Sequence, residues 1–157
     1  MNEIIREATE LIKRSEVSTR KAFEEEISEL KENLDEKFPF WLMELMSTIP
    51  VCESTLVIPI ENEDFNIEIK FLSPKLIIEE SLKAVPGCAV FNKGYICIGL
   101  IEIMANPVAI NIYEGNNPPV YLLDHNYGED SELIIENKQT IALSLSELLS
   151  ISILERD

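Results

Sequence analysis

The chain has 157 residues, 46% of them hydrophobic, and a formal net charge of −16 from 29 acidic and 13 basic side chains. That length and apolar content suit one folded domain and exclude an intrinsically disordered chain. The charge repels nucleic acid and favours cationic protein partners.

Ile4, Ile5, Ala8, Leu11 and Ile12 fall at helical spacing and predict a short first helix. Polar residues 15–19 interrupt it. Phe23, Ile27, Leu30 and Leu34 then step by four, three and four, which predicts a second helix. The stripe lasts under two heptads, so it reads as a helix docked on its own domain. Pro39 suits the first position of a third helix, with Phe40, Trp41, Leu42, Leu45 and Met46 on its apolar side.

After Pro50 the period changes to two. Leu56–Ile60 and Phe65–Phe71 predict a hairpin with the acidic turn Glu61-Asn62-Glu63-Asp64, and Pro59 points to a sheet edge. Ser73 and Pro74 cap and open a short helix to about Leu82. Pro86-Gly87 reads as a turn, and Ala89–Phe91 and Tyr95–Ile98 as strands joined through Asn92-Lys93-Gly94. Val108–Tyr113 and Val120–Asp124 predict another hairpin. An acidic loop, residues 125–131, precedes the short apolar run Leu133–Ile135. Ser144 to Glu147 then has capping-box spacing for a final helix carrying Leu145, Leu148 and Leu149. This order predicts a single α+β domain over residues 1–157. Its mostly antiparallel sheet has about six strands, with N-terminal helices (1–37) and a C-terminal helix against it.

Residues 71–112 carry three acids and three bases, so the negative charge collects elsewhere. Residues 38–70 have six acids to one base, and 113–157 have nine to two. No apolar run approaches the ~18 residues of a membrane span, and no apolar leader follows Met1, which predicts a cytoplasmic protein. Cys52, Cys88 and Cys97 match no zinc or redox spacing and read as buried structural thiols.

His125 is the only histidine, so a His-rich metal site is excluded. Its neighbour Asp124 is poorly placed to orient the imidazole if both lie on one strand. The carboxylate runs 24–26, 79–80 and 129–130 read as solvated charge, and five dispersed glycines give no phosphate-binding loop. Nothing here predicts a catalytic residue, a metal or a cofactor. A small hydrolase using His125 is the weakest of three readings.

Several segments, in order, resemble the SUKH superfamily of Smi/Knr-type domains. Phe38-Pro39-Phe40-Trp41-Leu42-Met43-Glu44-Leu45-Met46 is similar to the family's "L-P-x-x-L-x-x-L/F" helix. Phe71-Leu72-Ser73-Pro74 with Ile77-Ile78-Glu79-Glu80 follows. Tyr95-Ile96-Cys97-Ile98-Gly99 resembles "f-I-P-I-G". Asn106-Pro107-Val108-Ala109-Ile110-Asn111-Ile112 and Pro119-Val120-Tyr121-Leu122-Leu123-Asp124-His125 resemble "d-P-i-x-i-D … p-V-y-y-w-D-H". The likeness covers about residues 38–150. It departs at Leu100-Ile101-Glu102-Ile103-Met104-Ala105, an apolar loop where many members have a glycine-rich turn. That loop either packs inward or forms an exposed patch.

The resemblance implies an immunity protein that binds and neutralises a cognate toxin, many of which are cationic nucleases. Its contacts would lie in the acidic turns, at Glu61, Glu63, Asp64, Glu114, Glu129, Asp130 and Glu132. The alternative it implies is a regulatory scaffold that binds a host protein, as in the fungal cell-wall regulators.

Overall fold

Asn2 opens the first helix because its side-chain oxygen accepts the Ile5 amide at 2.8 Å. The helix α1 (Glu3–Ser15) has Glu3 in its first turn and Lys13 and Arg14 in its last, matching the helix dipole at both ends. The computed structural model describes residues 2–59 and 64–155. The next two helices are α2 (Glu24–Leu34) and α3 (Phe40–Thr48). Between α1 and α2 the chain is held by Arg20. Its guanidinium reaches Glu26 at 2.6 and 2.9 Å and Glu53 at 3.0 Å, and lies 4.8 Å over the Phe23 ring. Pro39 caps α3 from outside rather than starting it. Phe40, expected on the buried side, is 70% exposed, while Trp41, Leu42, Leu45 and Met46 are buried. At about 100° per residue Phe40 lies two positions, roughly 200°, from Leu42 and so falls on the side of α3 opposite the buried Leu42, Leu45 and Met46.

The strands β1 (Thr55–Pro59) and β2 (Asn66–Phe71) form the expected hairpin, with Leu56 opposite Ile69 and Pro59 opposite Asn66. A short helix α4 (Pro74–Ile78) is capped by Ser73 and continues into a π-helical turn at Glu79–Lys83. The expected strand Ala89–Phe91 is instead α5 (Gly87–Val90) followed by a 3-10 turn, so no hairpin forms at 89–98. Fully buried Val90 explains the change: it packs with Cys97, Ala109 and Ile134 across the sheet face rather than lying within the sheet. Gly94 does adopt the expected positive φ, 97°, as the chain turns into β3 (Tyr95–Ile101).

After β3 come β4 (Asn106–Asn111), β5 (Val120–Leu122), α6 (Ser131–Glu136), β6 (Gln139–Ala142), α7 (Leu145–Ile151) and β7 (Ile153–Glu155). Every strand pair is antiparallel, in the order β6-β5-β4-β3-β2-β1-β7. The fold is therefore α+β in one domain, with seven strands among the described residues. The run 133–135 became helical, and β6 and β7 appeared where no strand was expected. β7 also moves β1 off the edge. Pro59 is tolerated because β7 pairs only with Thr55, Leu56 and Val57, leaving the proline beyond that ladder.

Residues in cross-strand register share a face. On one face, Leu154, Leu56 and Ile69 form a row, as do Phe71, Gly99 and Val108. These rows meet Ile4, Leu11, Leu30, Leu34, Leu42 and Leu45 in the main core, which joins the N-terminal helices to the sheet. Each fully buried leucine there contributes roughly 2 kcal/mol from apolar burial. On the opposite face, Cys97, Ala109 and Tyr121 lie in one row under α5 and α6, with Tyr95 against Tyr121 edge-on at 6.1 Å.

Glu80 lies in the π turn beside Glu79. Burial, and then that neighbouring charge, raise its carboxyl above the usual range. A raised folded-state value stabilises the fold only below the ordinary carboxylate value of ~4.3 and loses that contribution as pH rises. Glu80→Gln is therefore expected to raise Tm modestly at pH 7 and to give no gain near pH 4. Thermal melts at the two pH values check this, and an equal Tm change at both would contradict it.

Candidate functional site

The antiparallel path sorts the connections between the two ends of the sheet. The β1–β2 turn, the β3–β4 turn and the segment from β5 to β6 begin and finish at one end. The β4–β5 turn and the stretch from β2 to β3 lie at the other. The apolar loop at 100–105 is thus brought to the end of the sheet where β2 begins, and it shares a groove with Phe65, Asn66 and Ile67, more than 30 residues away in sequence.

That loop divides. Ile101 is buried, whereas the turn that follows, closed by Met104 N–H on Ile101 O and Ala105 N–H on Glu102 O, projects into solvent. Ile103 is 94% exposed and Met104 48%, and Phe65 across from them is 59% exposed. Of the two alternatives open from sequence, the exposed patch describes Ile103 and Met104, and inward packing describes Ile101. Isolated exposed apolar residues are ordinary, whereas Phe65, Ile103 and Met104 lie together around one groove.

The groove has a volume of about 620 Å³ and is lined by Phe65, Ile67, Leu100, Ile103, Met104 and Leu122, with Glu68, Lys70 and Glu102 among its polar groups. Lys70 and Leu100 are in direct register and lie in one row with Thr55 and Pro107. The Lys70 ammonium is 3.5 Å from Glu102, whose side chain is 63% exposed.

Of the acids expected to meet a partner, Glu61 and Glu63 lie outside the described residues. Asp64 is exposed two residues before β2, at the groove end of the sheet. Glu129, Asp130 and Glu132 are exposed in the segment joining β5 to β6, and the Asp130 carboxylate caps α6 by accepting the Leu133 amide at 3.1 Å. Glu114 stands apart, in the β4–β5 turn at the far end. Both its oxygens accept from the Tyr121 hydroxyl, at 2.7 and 2.9 Å. Burial, and then this carboxylate, push Tyr121 ionisation above the ordinary phenol range, so the hydroxyl remains a donor. Lys138 lies 4.9 Å over the same ring.

His125 begins a 3-10 turn, and Asn106 holds it. The buried Asn106 side-chain oxygen accepts the His125 backbone amide at 3.0 Å and lies 2.5 Å from Nδ1, which fixes Nδ1 as the donor. Asp124 instead accepts the Asn126 amide at 2.8 Å and so does not orient the imidazole. Cys52 and Cys97 are buried, and burial pushes the Cys52 thiol up to about 12 and Cys97 higher still. Both are therefore protonated and inert at neutral pH. Among the described residues, no three His, Cys, Asp or Glu side chains come together to hold a metal ion.

Phe65, Glu68 and Lys70 are not singled out by the sequence as surface groups, because alternation places all three in one strand, Phe65–Phe71, without showing which end of it stands clear of its neighbours. The signal was its position directly after the acidic turn, one step beyond the last residue of β1–β2 pairing. No family model, curated protein or solved structure matches this chain. Among the described residues, no helix is long and apolar enough to cross a membrane.

Proposed function

We propose that the protein is a non-catalytic binding protein that neutralises a basic protein partner in the cytoplasm, a toxin domain in the reading that the SUKH-like motifs imply. One observation carries the binding part: an exposed apolar turn and exposed carboxylates share one end of the sheet. Apolar side chains supply an anchor that is desolvated on binding, and surrounding carboxylates steer a cationic partner and fix its orientation. A net charge of −16 extends that steering beyond the contact itself.

Affinity capture from the source organism, followed by an activity assay of whatever is captured, tests the reading. The expected result is a basic protein whose own toxic activity is lost in the complex. A captured host protein with no toxic activity would replace the toxin reading with that of a regulatory scaffold. Recovery of no partner, with hydrolytic turnover that disappears in His125→Ala, would overturn the binding reading altogether.

A further inference from the structure

We infer that the groove between β2 and the β3–β4 turn receives a cationic amphipathic segment of the partner, with its apolar side chains on Phe65, Leu100, Ile103 and Met104 and its Lys or Arg groups toward Glu68 and Glu102. The inference rests on the protein-binding reading above and specifies its site and the chemistry of its occupant.

Shape and charge lead to the same occupant. About 620 Å³ accommodates several side chains from one short segment, and the apolar lining excludes a purely electrostatic contact. Two carboxylates, Glu68 and Glu102, line it with one ammonium, Lys70, and Glu102 already faces that ammonium. Asp64 stands at the same end of the sheet. The balance is negative, which disfavours an acidic peptide or a fatty-acid carboxylate. A second copy of the chain is disfavoured for the same reason, since each carries −16. A cationic segment is left, with apolar residues on one side to cover Ile103, the most exposed large hydrophobic residue of the patch.

The test is an NMR titration of the full chain with a synthetic peptide of leucines and lysines at helical amphipathic spacing. Its glutamate-for-lysine counterpart and decanoate serve as comparison probes. The lysine peptide is expected to shift Leu100, Ile103 and Met104. The double variant Ile103→Ser, Met104→Ser is expected to keep its Tm and to bind the peptide at least about tenfold more weakly. Three outcomes would each overturn the inference: equal affinity in the double variant, binding of the glutamate peptide or decanoate as tight as that of the lysine peptide, or no binding of any probe. The captured partner separates this failure from failure of the functional reading. If the double variant still holds that partner with undiminished affinity, the groove assignment falls and the protein-binding reading stands.

Discussion

Gly87→Ala is expected to destabilise the fold by about 3 kcal/mol or more, read as a lower urea midpoint with an unchanged slope. A Cβ at this position would sit 1.9 Å from the Glu80 backbone oxygen and 2.8 Å from Cys97 Sγ. The first contact is with backbone, so no side-chain rotation relieves it. Moving residue 80 also disturbs its neighbour Ser81, whose buried hydroxyl accepts the Cys97 amide at 2.9 Å. The strain therefore passes from the π turn into β3, the central strand of the sheet. A loss below about 1 kcal/mol would mean that α5 can slide away from the sheet, contrary to the close packing described.

The second large effect joins the chain ends. Arg14, in the last turn of α1, donates from its guanidinium to Ser152 O at 2.7 and 3.1 Å and also to Leu149 O. Both carbonyls belong to the C-terminal end of α7, where helix carbonyls lack intrahelical donors and a cation is favoured by the dipole. Ser15 adds a bond from the Leu154 amide to its hydroxyl at 2.8 Å, tying β7 to α1. Arg14→Met keeps much of the apolar stem and removes the donors, at an expected cost of about 2 kcal/mol. Amide exchange provides a sharper check than global stability alone. Residues 149–155 are expected to lose protection before β3 and β4 do, whereas uniform loss across the sheet would contradict this local role.

Periodicity made much of this fold legible. The spacing of Ile4, Ile5, Ala8 and Leu11 and the Ser144 cap were sufficient for α1 and α7, because local propensity and burial agree there. β6 and β7 were not legible. Each is four residues or fewer and owes its conformation to pairing with β5 or β1, not to a pattern of its own. Residues 87–93 misled because Val90 and Phe91 suit a strand, whereas the segment forms a helical turn with Val90 buried against the sheet face. The candidate site was legible in parts. The apolar loop was conspicuous from sequence and the acids were countable, but their meeting at one end depends on strand order. The same order sends Glu114 to the opposite end, where it receives the Tyr121 hydroxyl.

Binding of a basic protein by an acidic, apolar-anchored sheet end has a kinetic signature. The association rate of the isolated complex, measured by stopped flow across a series of salt concentrations, tests it most directly. The rate is expected to fall steeply as salt rises, by about tenfold or more from low to physiological ionic strength, with dissociation nearly constant in the native chain and faster in the Ile103→Ser, Met104→Ser variant. An association rate indifferent to salt, with dissociation unaffected by that variant, would contradict it.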